Sequence, residues 1–185
     1  MREFGSSLSL AGSLLIAHPG LLDPNFRKTV LFLSANDGED GSFGLILNRP
    51  SDQTVSDLLP DRDMGALGRI PVLIGGPVGR DQLIFASFVW DAENSKMECH
   101  HHIGLDEAQQ MLGLPNATIL AFIGYAGWSK GQLEGELAQK AWMLARPEQG
   151  VLDPKRSANL WRELTATFGP WFRLVAEAPD DVSLS

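Results

Sequence analysis

The chain has 185 residues, 44% of them hydrophobic and 21% charged, a balance that excludes a disordered polymer and is long enough to bury a sizeable core. Its 23 Asp and Glu outnumber 15 Lys and Arg, giving a net charge of −8; a surface of that sign repels phosphate backbones, so no direct nucleic-acid partner is expected. Cys99 is the only cysteine, which excludes an intrachain disulfide, and no apolar run approaches the roughly 18 residues of a membrane span. A cytoplasmic protein with no membrane partner is the expectation.

In chain order, Leu8 to Ala17 could imitate a signal-peptide core, but Glu3 offsets Arg2, and Ser9, Gly12 and Ser13 interrupt the stretch. Residues 12–17 therefore read as a first strand ending in the turn His18-Pro19-Gly20. Asp23-Pro24-Asn25 breaks the chain again before 29–34, apolar at successive positions as a strand buried on both faces would be. Turn formers fill 36–41, and 43–48 completes a hairpin with a longer loop. Arg49 precedes Pro50 and is biased toward extended backbone. Thr54 and Asp57 can cap a short helix ended by Pro60, and 61–68 reads as a loop.

Residues 71–74 form a third buried-type strand, stopped by Gly75-Gly76-Pro77, and 83–90 a longer one. Asp106 caps a helix over 107–112, stopped by Gly113. The most apolar strand is 118–123, expected at the sheet centre. The glycine-rich 124–128 reads as a turn into a helix over about 130–145. Asp153-Pro154 begins the last helix, with an apolar stripe of Trp161, Leu164 and Phe168 ended by Gly169-Pro170. The acidic tail 177–185 is expected to be mobile. Strands come early and helices gather late, which predicts a single α+β domain over 1–185, its core at about 10–175, with a mixed or antiparallel sheet.

Four segments together resemble the YqgE/AlgH family: 12–17 with Asp23, Phe26 and Val30; Gly44 to Pro50; Gly75-Gly76-Pro77-Val78; and Gly124 to Trp128 followed by Gly131 to Glu134. Their order across 12–145 carries the resemblance, which thins beyond Ala145. It implies a bacterial, cytoplasmic protein with no established enzymatic activity and a bifurcated, partly barrel-like sheet surrounded by helices. Some members are labelled transcriptional regulators through an effect on alginate production. No helix-turn-helix signature accompanies that label here.

Several constellations invite chemistry. Gly127-Trp-Ser129-Lys-Gly131 spells G-x-S-x-G between a strand and a helix, the setting of a nucleophile elbow. All four histidines precede the serine, however, and the resemblance implies that glycine commonly stands at position 129. A Ser129 cap with Gln132 closing a capping box is the preferred reading. The same loop could cradle an anion, but it lacks the ending of a phosphate-binding loop, and Glu134 and Glu136 would repel phosphate. Cys99-His100-His101-His102 offers zinc-ligand types. On a strand, Cys99 and His101 share one face and His100 and His102 the other; neither pair completes a site, so no metal and no cofactor is assigned. Gly75 and Gly76 suit a tight turn with close backbone approach. Asn48 can supply amide hydrogen bonds, and Arg49 can pair a carboxylate, a structural ion pair being preferred to a ligand contact.

Glu134 is the carboxylate singled out. If 130–145 is one helix at about 100° per residue, Glu134 falls in the apolar arc with Leu133, Leu137 and Trp142, and Glu136 on the wet face. A buried, paired Glu134 is then expected, with Arg49 as its candidate partner. The leading functional expectation is a non-enzymatic binding or regulatory domain acting through a protein or small-molecule partner, as a monomer or weak oligomer. The alternative is a receptor or enzyme with a cleft between Asn48-Arg49 and Gly127–Glu134, giving Asn48, Arg49, Gly75, Gly76, Gly127, Trp128 and Glu134 as candidate ligand-binding residues.

Overall fold

The computed structural model describes residues 9–179. Strands are β1 (Leu14–Ala17), β2 (Val30–Asp37), β3 (Gly41–Ile46), β4 (Pro50–Thr54), β5 (Pro71–Ile74), β6 (Val78–Asp91), β7 (Lys96–His101), β8 (Ala117–Trp128) and β9 (Trp142–Ala145). Helices are α1 (Val55–Leu58), α2 (Leu105–Met111), α3 (Gln132–Ala138), α4 (Leu160–Ala166) and α5 (Pro170–Glu177), with short 3₁₀ turns at 65–69, 149–152 and 154–156. One mixed sheet runs in the order β4-β5-β8-β3-β2-β1-β9, and β6 and β7 branch from β8.

The apolar runs went where their patterns require. All four residues of β1 are buried, and β1 pairs antiparallel with β2 on one edge and β9 on the other. The expected hairpin of β2 and β3 is present, with a bulge between Leu33 and Ala35. Strand β8 is central: it pairs parallel with β5 at 121–123, antiparallel with β6 along 117–125, and antiparallel with β3 at 126–128. Its alternate residues serve two cores. Leu120 and Phe122 join Phe32, Phe88 and Leu133 on one side, while Ile119 and Ala121 join Val55, Leu67 and Phe85 on the other. Each fully buried large side chain contributes roughly 1.5–3 kcal/mol.

The sheet forks at Gly124, whose φ of +71° favours glycine. In the fork, the Gly75 N–H donates to the Ile123 carbonyl at 2.9 Å, and the Gly75 carbonyl accepts from the Ile46 N–H at 2.9 Å, stitching β8 to β3. There is no room for side chains. A Cβ on Gly75 would collide with the Gly124 carbonyl, one on Gly76 with the Tyr125 carbonyl, and one on Gly124 with the Gly76 carbonyl at 2.5 Å. The expected close backbone approach is therefore a reciprocal one.

Several sequence expectations are corrected. The sheet is bifurcated but does not close into a barrel. Residues 124–128 continue β8 instead of turning. The helix expected over 130–145 ends at Ala138, because Lys140 takes a left-handed φ of +60° and 142–145 joins the sheet as β9. Thr54 does form its capping box, donating its N–H to Asp57 at 2.8 Å, but Gly104, not Asp106, caps α2. Gly131, not Ser129, occupies the N-cap of α3. Asp153 caps only the 3₁₀ turn at 154–156, and Gly169-Pro170 starts α5 after ending α4. Phe168 is partly exposed instead of completing a buried stripe. Of the tail, residues 180–185 lie outside the described residues.

Gly76→Ala should destabilise the fold by about 3 kcal/mol through forced separation of β8 from Gly75-Gly76. Gly135→Ala, on α3 with open space around it, should stabilise by about 0.5–1 kcal/mol. Urea unfolding followed by circular dichroism reads both; equal effects would contradict the steric account of the fork.

Candidate functional site

The loop before β2 is short of regular structure and must satisfy its carbonyls elsewhere. Phe26 and Arg27 donate their N–H groups to the Asp23 carbonyl at 3.0 and 2.8 Å, and the Asp23 side chain accepts from the Asn25 N–H at 2.8 Å. The outward-facing carbonyls go to Arg49. Its guanidinium donates to the carbonyls of Pro24 at 3.1 Å, Arg27 at 3.2 Å and Asn25. Burial lowers the Arg49 pKa, and the Asp23 charge opposes that shift. Asn48 fastens the next turn: its Oδ1 accepts from the Val30 N–H and its Nδ2 donates to the Lys28 carbonyl, both at 2.9 Å. The dipeptide Asn48-Arg49 thus behaves as a latch on residues 24–30.

That latch aims Phe26 at the end of β8. Its ring stacks on Trp128 at 6.4 Å and meets Trp142 edge-on at 5.6 Å, and the two indoles meet at 6.2 Å. Both indoles are buried, so their N–H groups need acceptors. Glu136 supplies one: its Oε2 accepts from Trp128 at 2.9 Å and Trp142 at 2.8 Å, and its Oε1 accepts from Gln132 at 3.2 Å. Phe26 therefore reaches from the loop held by Arg49 to Trp128, between the two segments that the alternative reading places on either side of a cleft.

Glu134 itself is exposed, its Oε1 accepting from Asn36 Nδ2 at 3.3 Å, and Arg49 binds backbone carbonyls instead of a carboxylate. The expectation of a buried Glu134–Arg49 pair is overturned. The helical phase was set by Trp142, Leu144 and Ala145, which belong to a strand. With α3 cut at Ala138, the buried Leu133 and half-buried Leu137 put Glu136 on the inner side. A signal was available in the sequence: residues 141–145, Ala-Trp-Met-Leu-Ala, are a short apolar run directly after Gln139-Lys140. Phe26 was visible only as part of the resemblance.

The other candidates divide. Arg49 and Gly76 share a cavity of about 220 Å³ with Arg80. Gly127 pairs with Phe43 in the sheet, and Gly75 stays buried in the fork. The Ser129 hydroxyl and N–H both donate to Gln132 Oε1, at 3.2 and 3.0 Å, so the serine is held by its own loop. Cys99 and His101 share a face of β7, as alternation predicts. His102, however, takes a φ of +56°, and its Nδ1 lies 3.2 Å from that of His101. The His101 ring also packs against Phe43, tilted by 34° with centroids 4.2 Å apart. Burial, then the neighbouring His102 and His100, lower the His101 pKa. Among the described residues no group of three or more His, Cys, Asp or Glu is placed to hold a metal.

The AlgH-like family model matches residues 14–173. A UPF0301 protein of Streptomyces coelicolor is 36% identical over 187 residues, covering 96% of each chain. A UPF0301 protein of Mycobacterium tuberculosis is 33% identical over 184 residues, covering 94% of this chain and 89% of its own. Among solved structures, the AlgH protein of Pseudomonas aeruginosa superposes with a TM-score of 0.63 at 26% identity, over 98% of this chain and all of that one. A Corynebacterium diphtheriae protein shares the fold at a TM-score of 0.67 and 20% identity, covering 90% of this chain and 91% of its own.

Glu136→Ala strands two buried indole N–H groups, at roughly 1–3 kcal/mol each. A loss of about 2–4 kcal/mol is expected, against less than about 0.5 kcal/mol for Glu134→Ala. Urea titration followed by tryptophan fluorescence distinguishes them; a larger effect at Glu134 would reinstate it as the core carboxylate.

Cys99 gives a pH dependence. Burial pushes its thiol up to about 11. The folded state therefore keeps its proton where the unfolded chain, near 9, releases it. That stability is full below pH 9 and is lost as pH rises toward about 11. Cys99→Ala should flatten this part of the stability profile in chemical denaturation. An unchanged slope between pH 9 and 11 would sink the assignment.

Proposed function

Since the chain belongs to the AlgH-like family, we propose that it is a cytoplasmic, non-enzymatic binding or regulatory domain that acts through a protein or small-molecule partner. The observation carrying this reading is that the polar side chains a catalyst would use are engaged internally. Asn48 and Arg49 hold the 24–30 turn, Glu136 accepts from two indoles, and Ser129 donates to Gln132. A hydrolase needs a serine within reach of a base; the Ser129 hydroxyl instead donates to an amide. Support for a partner comes from α5, whose Trp171 and Leu174 are 55% and 70% exposed. Isolated apolar residues are ordinary on surfaces, but a tryptophan one turn from a leucine on an amphipathic helix suits a protein contact.

The reading as a direct transcription factor has less support, because a net charge of −8 opposes phosphate contacts. A regulatory effect would pass through the partner. No helix among the described residues is long and apolar enough to cross a membrane.

The test has two arms. Treated with a fluorophosphonate probe, the protein should remain unlabelled, and in gel-shift titration at physiological salt it should not bind duplex DNA more tightly than about micromolar. Labelling at Ser129 would establish a reactive nucleophile and remove the non-enzymatic reading. Sequence-selective DNA binding below micromolar would replace the partner with a promoter.

A further inference from the structure

Beside the fork, Pro24, Asn25, Arg49, Gly76 and Arg80 line a cavity of about 220 Å³. Two of these are arginines, and no carboxylate is among the lining residues. Arg49 comes from the latch before β4 and Arg80 from the start of β6, so two separate strands bring like charges to one opening. Like charges repel, and holding them together costs energy unless something offsets it. Arg49 gives at most three of its five N–H groups to the carbonyls of Pro24, Asn25 and Arg27. Carbonyls are dipoles and leave its net charge in place. Asp23 acts on that charge from outside the lining, its carboxylate accepting from the Asn25 N–H. Arg80 is exposed and forms no hydrogen bond or ion pair among the described residues. The Gly76 N–H likewise donates to no acceptor among them.

We propose that this cavity binds the phosphate group of a small phosphorylated molecule, with Arg49 and Arg80 supplying the charge that holds it. The proposal rests on the small-molecule arm of the reading above. The ligand's sign follows from two cations in a lining that has no acid. Its amount of charge follows from their number: a phosphate monoester carries about −1.5 to −2 near neutral pH and matches two guanidinium groups, whereas a carboxylate matches one. That the charge sits in a single group follows from the net −8 of the chain, which repels a polyanion. Volume sets only an upper limit, and a phosphate falls below it, being smaller than the benzene that apolar cavities of about 150 Å³ take up. Arg49 is held by carbonyls before anything binds, so ordering costs fall mainly on Arg80. Because Arg80 is exposed, salt screens its attraction, and binding weakens as ionic strength rises.

The test titrates the full-length, isotope-labelled protein with methyl phosphate and with acetate, in phosphate-free buffer of constant ionic strength, reading backbone amide shifts. At about pH 8 methyl phosphate is a dianion. It should perturb Asn25, Gly76 and Arg80, and acetate should bind about ten-fold more weakly or less. Arg80→Gln should weaken methyl phosphate about ten-fold without moving the urea midpoint, because Arg80 has no partner in the fold to lose. Arg80→Lys, which keeps the charge, should recover part of that loss. Arg69→Gln, at an exposed arginine outside the lining, should leave the affinity unchanged. Arg49→Gln also opens the latch, so Arg80 is the deciding position wherever that variant fails to fold. A phosphoserine peptide with neutral flanks should bind no more tightly than methyl phosphate. Equal binding of acetate, equal losses in Arg69→Gln and Arg80→Gln, tighter binding of the peptide, or shifts confined to other surfaces would overturn the proposal. Such a result leaves the partner-based reading standing through its protein arm. Fluorophosphonate labelling of Ser129 would instead remove that reading without touching the arginine cavity.

Discussion

The rest of the molecule hangs on the contact between two backbones at the sheet fork, where Gly75-Gly76 crosses Gly124-Tyr125 with no side chain between them. Because β8 must serve β5 through 121–123 and β3 through 126–128, the ladder has to change partners across residues 124 and 125. At Gly75 a single residue bridges both strands, its N–H donating to Ile123 and its carbonyl accepting from Ile46. Any Cβ would push the branches apart and leave those groups unpaired in a buried place. The two cores lie on opposite faces of β8, so displacing it would loosen both at once.

The second organising device is the latch of Asn48 and Arg49. A loop without ladder partners would expose or strand its carbonyls, and a planar guanidinium with five donors can collect three of them. Lysine, a point charge without that fork, could not hold the same three acceptors at once. Fixing the loop fixes Phe26, and Phe26 completes the cluster with Trp128 and Trp142 over Glu136. Residues that suggested ligand recognition thereby connect two distant parts of the chain mechanically. A carboxylate that accepts two indole N–H groups is a positioning device for aromatic rings, and its half-buried setting keeps the cost of its charge modest.

The segment after β9, expected to lie beyond the resemblance, is covered by the family model to residue 173. There the chain covers the sheet with short 3₁₀ turns held by ion pairs. Such covers can move at lower energetic cost than strands knitted into a ladder.

The sequence by itself determined the α+β class, the buried strands at β1, β2, β3, β5 and the first part of β8, and the close approach at Gly75-Gly76. Each of these follows from local pattern: continuous apolar runs, turn formers between them, and residues lacking a side chain where backbones meet. It also determined that Cys99 and His101 share a face, since alternation along a strand is geometric. Tertiary structure alone decided the rest. Arg49 met carbonyls instead of Glu134 because its partners are backbone atoms about 25 residues away, which no side-chain complementarity reveals. Glu136 replaced Glu134 because Trp142-Met-Leu-Ala145 was claimed by the edge of β1. That pairing outweighed the local helical tendency and broke the periodicity on which the wheel depended. The apolar cavity lined by Leu73, Leu120, Val151 and Leu160 likewise arises only when 151–160 folds back over β5 and β8, because a void is a property of surfaces brought together and not of any one segment.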